Sequence, residues 1–464
     1  MSLIKSISGI RGTIGGSVGE GLTPIDTVRF SAAFGTWVKT NSSQSKTKIV
    51  VGRDARISGE MIRDLVVSTL RALGIDVIDL GLSTTPTVEL AVQFEGASGG
   101  IILTASHNPK QWNALKLLNH KGEFINAKDG AEVLDIAESD NYIFSDIDNL
   151  GNYFCDESYI TKHIDSILNL SYVNVKAIKQ AKFKVVIDAV NSTGGIAIPQ
   201  LLDALGVKYI PLYCEPTGHF PHNPEPLAEH LTEISKVVSE QSADLGIVVD
   251  PDVDRLALVN EDGSMFGEEY TLVAVADYIL SKEKGNTVSN LSSSRALKDI
   301  TEFHGGSYFS SAVGEVNVVD KMKSSNAVIG GEGNGGIIYP KSHYGRDSLV
   351  GIALFLSHLA EKNMKCSQLR ATYPNYFMSK NKIELTPSID VDEILHKIKE
   401  NYQNEKVSTI DGVKIDFADE WVHLRKSNTE PIIRIYTESK NKDSAQRLAN
   451  RFVNEIYELT SLKS

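Results

Sequence analysis

The sequence predicts an α/β protein of three α/β domains followed by a smaller C-terminal α+β domain. Three observations lead there: short apolar runs alternate with stretches of helical periodicity, the pattern restarts twice, and the final part of the chain changes to closely spaced strand patterns. The length agrees, since 464 residues make three or four domains at about 100–200 residues each.

The first domain is expected over residues 1–152. KIVVG (Lys48–Gly52) is the continuous apolar run of a buried strand. From Glu60 to Leu73, the residues Met61, Leu65, Val66, Leu70 and Leu73 fall at near-helical spacing, and Gly74 is the stop signal. Asp76–Gly81 and Gly99–Ser106 are the next strands. A second unit (153–256) is framed by Phe183–Val190 and Asp244–Asp250, and a third (257–371) by Asn286–Ser294 and Asn326–Gly331. In each, an apolar strand runs into a loop of Gly, Asp, Asn or Ser. This is a weak internal repeat, and strand C-termini are where open α/β sheets bind ligands. In the last domain (372–464), KIELTP, GVKIDFAD, WVHLRKSN and PIIRIYTES are neighbouring strands, and Lys442 to Leu459 is helical.

Apolar residues at 41% and charged residues at 23% are ordinary for a soluble globular chain. The net charge of −12 argues against nucleic acid or anionic membrane as a partner. A phosphate ligand would need basic residues concentrated at one site against that field. Cys155, Cys214 and Cys366 are scattered and form no CxxC pair, which points to a reducing cytoplasm rather than a disulfide framework or zinc site. The start, MSLIKSISGIRG, has no apolar signal region, and no run approaches the roughly 18 apolar residues of a membrane span.

Four motifs carry chemistry. TASHNP (Thr104–Pro109) follows a strand, so Ser106 sits at a strand-to-loop mouth with His107 beside it and Asn108-Pro109 favouring a turn. It is either an exposed nucleophile or a polar turn, and it is not the GxSxG elbow of hydrolases. DPDVDR sets Asp250, Asp252 and Asp254 at alternate positions, where three carboxylates can converge on one hard cation such as Mg²⁺. With Glu261 the spacing also matches an EF-hand, but Arg255 replaces the turn glycine and a strand precedes the loop. An aspartyl phosphatase with Asp250 as nucleophile stays open. GEGNGG (Gly331–Gly336) satisfies G-x-G-x-x-G, yet β-prone IIYP rather than a helix follows it. A flexible loop presenting Glu332 and Asn334 to a polyol fits better. RKSNTEPIIR offers Arg425, Lys426, Ser427, Asn428 and Thr429, with Arg434 beyond, as a phosphate cradle or a polar turn. GIRG, with Arg11, and GRDARISG set Arg beside Gly, a pattern for which surface arginine is the commoner explanation. Lys116, ten residues after Ser106, is a proton carrier or a solvated lysine.

Taken in order, the TASHNP serine, the DxDxDR loop, the GE-x-N-G loop and the R-x-S-N-T-E-P loop resemble the α-D-phosphohexomutase family over essentially the whole chain. The resemblance implies a heart-shaped four-domain protein with one central cleft and one loop from each domain. It implies that Ser106 is the phosphoserine, and that Asp250, Asp252 and Asp254 hold Mg²⁺ with a Ser106 phosphate oxygen completing the site. Glu332 and Asn334 would read sugar hydroxyls. Arg425, Ser427, Asn428, Thr429 and Arg434 would bind the non-reacting phosphate. Lys116, Arg11, His107 and Arg255 would surround the reacting oxygen. Several bacterial members carry His after the last glycine of the sugar loop (GEMSGH, GEQSGH), where this chain has Gly336. The implied activity interconverts a hexose 6-phosphate and 1-phosphate through a hexose bisphosphate. Glucosamine phosphate is the expected substrate, with mannose and glucose phosphates as alternatives, in a monomer or homodimer. A non-catalytic sugar-phosphate sensor would lack the nucleophile or a metal ligand, and neither is lost here.

Overall fold

The computed structural model describes residues 2–6, 9–44, 46–384, 390–426 and 432–461. Four sheets follow one another along the chain. The first has seven strands, in the order Leu3–Ser6, Gly9–Thr13, Trp112–Leu118, Gly99–Leu103, Lys48–Arg53, Asp76–Leu82 and Tyr153–Cys155. The second runs Leu256–Asn260, Leu245–Val249, Lys184–Asp188, Lys208–Leu212. The third runs Tyr308–Ser311, Asn286–Asn290, Ala327–Glu332, Gly336–Ile338. The fourth is wholly antiparallel: Phe377–Glu384, Ile432–Ser439, Trp421–Lys426, Val413–Asp416, Lys406–Ser408.

The first three sheets share one topology. In each, an opening strand pairs in parallel with the second strand on one side and the third on the other, and the third then turns back into an antiparallel fourth. Helices Gly59–Ala72, Gly194–Leu205 and Ala296–Phe303 make the first crossover. Thr85–Phe94, Thr232–Glu240 and Glu315–Ser325 make the second. The weak repeat in the sequence is thus a repeated βαβαββ unit. The turn between its third and fourth strands is the same structural position three times over: residues 104–111, 250–255 and 333–335.

The third strand lies inside its sheet, so Gly99–Leu103 and Leu245–Val249 are buried at every position. That is why they read as unbroken apolar runs. The strands expected over Gly99–Ser106 and Asp244–Asp250 stop at Leu103 and Val249, because the chain turns there. Ser106 and Val253 take left-handed backbone angles, φ 48 and 65.

The first sheet buries alternate residues on its two faces, Ile49, Val51 and Ile101 on one and Val50, Leu80 and Ile102 on the other. The second and third sheets share one continuous core running from Ile160 to Tyr373. The fourth has its own, around Ile415, Leu424, Ile435 and Phe452. Among the described residues, no helix is long and apolar enough to cross a membrane.

Candidate active site

Ser106 heads the first of the three equivalent turns and is 7% exposed. A non-glycine residue in the left-handed region costs about 1–3 kcal/mol unless its surroundings hold it there. Arg56 does the holding. Its guanidinium donates to the carbonyls of Ser106 (2.5 Å), Asn108 (2.6 Å), Pro109 (2.8 Å) and Trp112 (2.9 Å). Its Nε binds Asp54 Oδ2 at 3.0 Å. Asp54 also accepts from Thr104 Oγ1 at 2.7 Å, and Thr104 Oγ1 accepts from the Ser106 amide at 2.9 Å. The expectation of a surface arginine in GRDARISG is therefore corrected. Arg56 is 1% exposed, because a turn folded inward leaves carbonyls that need buried donors. Arg56→Met is expected to lower stability by about 3–5 kcal/mol, since it strands the Asp54 charge. Urea unfolding reads this directly, and a loss under about 1 kcal/mol would contradict the brace.

The second turn brings its three acids against Ser106. Asp250 Oδ2 accepts from Ser106 Oγ at 2.7 Å, and its Oδ1 accepts from the amides of Asp254 (3.2 Å) and Arg255 (3.1 Å). Asp252 Oδ2 accepts from Thr85 Oγ1 (2.6 Å) and Lys116 Nζ (2.7 Å). Asp254 Oδ2 accepts from Arg346 Nη2 (2.7 Å) and Lys116 Nζ (3.4 Å). The other oxygens, Asp252 Oδ1 and Asp254 Oδ1, are buried with no hydrogen-bond partner among the described residues. One ligand atom from each acid lies within 4.8 Å of the others. Burial and the neighbouring acids push Asp250 well above the usual carboxylate range. Burial works the same way on Asp252, but Lys116 outweighs it and holds that carboxyl low. Buried carboxylate oxygens without hydrogen-bond partners among the described residues, in a cluster of three acids, suit a hard cation with oxygen ligands, as Mg²⁺ is. Glu261, the twelfth position of an EF-hand spacing, instead binds the hydroxyl and amide of Ser367 at 2.5 and 3.0 Å.

Lys116 is no solvated lysine: its side chain is 14% exposed. Burial acts to discharge it, and Asp252 and Asp254 overcome that and raise its pKa. His107 Nδ1 lies 3.3 Å from Ser106 Oγ. Burial, then Arg255 and Arg346, push its pKa well below the ordinary value. Glu225 Oε1 pairs with Arg255 Nη1 at 3.3 Å and lies 4.0 Å from His107 Nε2. Arg11 has its pKa lowered by burial and then by Arg255, so the two guanidiniums feel one another. Arg255 Nε is buried without a hydrogen-bond partner among the described residues. Neighbouring cations with unused donors form a place for an anion.

In the third turn, Glu332 Oε1 accepts from Asn290 Nδ2 (2.8 Å) and the Gly314 amide (3.2 Å), and Oε2 from Arg346 Nη1 (3.1 Å). Burial opposes its ionisation, but Arg346 and Asn290 outweigh it and keep the pKa low. Asn334 Oδ1 accepts from the Gly336 amide at 3.2 Å, which closes the turn. A strand, Gly336–Ile338, follows the glycines, so the dinucleotide pattern has no helix to act through. In the fourth sheet, Arg425 and Arg434 lie directly opposite one another on antiparallel strands, so both side chains share a face. Like charges so placed repel. Both Nε atoms are buried without a hydrogen-bond partner among the described residues, and Arg425 Nη1 lies 3.6 Å from Asp411 Oδ2. Ser427, Asn428 and Thr429 lie outside the described residues.

Sequence reasoning missed Arg346, Asn290, Thr85 and Glu225, and set Arg56 aside. The signals present were the second arginine of GRDARISG, which is Arg56, and the arginine of GRD at Gly345–Asp347, which is Arg346.

Hard-cation ligands against a hydroxyl, with guanidiniums left open for anions, are the equipment of a phosphate-handling enzyme. Residues 4–143, 161–263 and 267–376 match phosphoglucomutase/phosphomannomutase alpha/beta/alpha domains I, II and III, and residues 382–455 match its C-terminal domain. A phosphoglucomutase/phosphomannomutase of Thermococcus kodakarensis is 36% identical over 94% of this chain and 95% of its own length. A phosphoglucosamine/phosphogalactosamine mutase of Sulfurisphaera tokodaii is 34% identical over 100% of both. A crystal structure of a phosphoglucomutase/phosphomannomutase family protein from Burkholderia thailandensis superposes with TM-score 0.83 at 25% identity, covering 98% of each chain. The chain belongs to the α-D-phosphohexomutase family, and is an isomerase of that family.

Proposed function

We propose that this enzyme interconverts glucosamine 6-phosphate and glucosamine 1-phosphate by way of a phosphorylated Ser106. The observation that carries the reading is the Ser106 hydroxyl held 2.7 Å from Asp250, in the turn beside buried carboxylate oxygens that have no hydrogen-bond partner among the described residues. In the first half-reaction, the oxygen–phosphorus bond of phospho-Ser106 breaks. A new one forms to the free hydroxyl of the hexose phosphate, whose proton is balanced by the one the released Ser106 oxygen takes up. The resulting bisphosphate turns end over end, and its other phosphate returns to Ser106. Arg425 and Arg434, with Ser427, Asn428 and Thr429, grip the phosphate that is not reacting. Arg11, Arg255, His107 and Lys116 surround the one that is. Glu332, an ionised acceptor with three of its bonds already made by protein, accepts from a sugar hydroxyl beside Asn334. Mg²⁺ held by Asp250, Asp252 and Asp254 would supply charge neutralisation at the travelling phosphoryl group.

The aspartyl-phosphatase reading has less support, because a hydroxyl nucleophile, Ser106 Oγ, stands directly against Asp250 Oδ2 and the matched family domains are those of mutases. The choice of glucosamine over glucose and mannose rests on the names of full-length relatives such as those of Sulfurisphaera tokodaii and Methanopyrus kandleri. The test is a coupled assay of the three hexose 1-phosphates with Mg²⁺ and a trace of the matching bisphosphate. The highest kcat/KM is expected for glucosamine 1-phosphate. Preference for glucose or mannose would overturn the substrate, and turnover of none would overturn the mutase.

A further inference from the structure

We propose that Arg346 is a positioning residue that sets, with one guanidinium, both the metal-facing oxygen of Asp254 and the sugar-facing side of Glu332; this rests on the mutase reading above. Its three nitrogens reach three carboxylates: Nε to Glu315 Oε2 (2.9 Å), Nη1 to Glu332 Oε2 (3.1 Å) and Nη2 to Asp254 Oδ2 (2.7 Å). A carboxylate with one oxygen tied to a cation presents the other. Asp254 Oδ1 is left buried and without a hydrogen-bond partner among the described residues, with Arg255 Nε 4.0 Å away. Asp252 is oriented in the same sense by Lys116 and Thr85, which hold its Oδ2 and leave Oδ1. On Glu332, Arg346 holds Oε2 while Asn290 and the Gly314 amide hold Oε1. The acid that faces the cation and the acid that faces the sugar therefore hang on the same side chain, although they come from different domains.

The arginine cannot drift. Its backbone pairs with Ile338, its amide donates to Glu315 Oε1 at 2.9 Å, and the Asp347 amide donates to Ile337 O at 2.8 Å. Asp347 then caps the helix Ser348–Lys362 through the amides of Leu349 (2.9 Å) and Val350 (3.1 Å). The shaft of Arg346 runs through the space a side chain at position 336 would fill: a Cβ there would lie 2.3 Å from Arg346 Cδ and 3.1 Å from Cγ. Gly336 and Arg346 are one device. Lysine cannot replace the arginine, because a single ammonium lacks the planar fork that meets three carboxylates at once.

The experiment uses full-length enzyme and two variants, Arg346→Lys and Gly336→Ala. Gly336 does not lie in the left-handed region, so alanine there keeps the backbone and every charge; its methyl meets chiefly the arginine shaft, with a lesser contact at 3.1 Å to Asn334 Oδ1. Mn²⁺ serves as the metal probe, its affinity read by electron paramagnetic resonance and calorimetry. Turnover of the preferred hexose phosphate gives KM and kcat separately. Arg346→Lys is expected to weaken Mn²⁺ binding by roughly ten- to a hundred-fold, as when a group orienting a ligand is lost. It should also raise KM by roughly ten-fold, the effect of one misaligned charged hydrogen bond. Gly336→Ala should shift both in the same direction by less. Lower melting temperatures with Mn²⁺ affinity and KM unchanged would mean a packing role only and overturn the proposal. A change in one quantity without the other would do the same, since the residue would then serve a single loop. If Arg346→Lys does not fold, Gly336→Ala decides alone. A wild type that binds Mn²⁺ but turns over no hexose phosphate overturns the mutase reading and not this one. Hexose-phosphate affinity by calorimetry then takes the place of KM.

Discussion

Ser106→Ala is expected to abolish turnover while leaving the fold in place. Removing a reacting nucleophile typically costs at least about 10⁴-fold in kcat. Among the described residues, the hydroxyls of Thr104 and Thr85 cannot take its place, since they are committed to Asp54 and Asp252. The structural cost should be small. The turn is held by Arg56 through backbone carbonyls, which the substitution keeps, and Asp250 retains its two backbone donors. The lost Ser106–Asp250 bond is worth about 1.5–3 kcal/mol if Asp250 is charged and less if burial keeps it protonated. Intact-mass measurement of the parent after incubation with bisphosphate should show one removable phosphate, and the mutant none. Substantial activity in a folded Ser106→Ala protein would refute the phosphoserine mechanism. A phosphate that persists in the mutant and is acid-labile would move the covalent chemistry to an aspartate.

The second large effect is expected for Asp252→Asn. Its Oδ1 is one of the two orphaned oxygens, and its Oδ2 anchors both Thr85 and Lys116. An amide supplies one oxygen where the carboxylate supplies two, so either the cation or the anchoring donors lose their partner. Metal affinity should fall by about 100-fold, and activity at limiting Mg²⁺ with it. The fold should survive, because removing one of three crowded acids also relieves the repulsion that raises Asp250. Wild-type enzyme should lose activity in excess EDTA and regain it on adding Mg²⁺. Full activity in EDTA would show that the acids serve another purpose.

What was legible in the sequence follows from which forces act locally. Leu245–Val249 reads as a strand because a strand buried on both faces must be apolar at every position. The turns after Leu103, Val249 and Glu332 read as ligand-facing because glycine, aspartate and asparagine gather where an apolar run stops. Ser106, Asp250, Asp252 and Asp254 drew attention for the same reason, and the structure sets Ser106 within hydrogen-bonding distance of Asp250 and clusters one oxygen of each acid within 4.8 Å of the others. The two restarts in the pattern are real repeats of one strand order.

Tertiary structure alone decided the partners of the arginines. An arginine in a loop looks the same in sequence whether its guanidinium meets water, carbonyls or carboxylates. Arg56 finds the Ser106 carbonyl 50 residues away, and Arg346 finds Asp254 at a separation of 92. Nothing within a few positions of either residue encodes that meeting. The same holds for the core shared by the second and third sheets, which a reading of separate domains divides. Local composition determined where each strand ends and what kind of chemistry its loop can carry, because burial and backbone strain act within a few residues. Which loops face one another, and which charge neutralises which, was decided by the packing of the repeated units, because electrostatic pairing depends on distance in space and not along the chain.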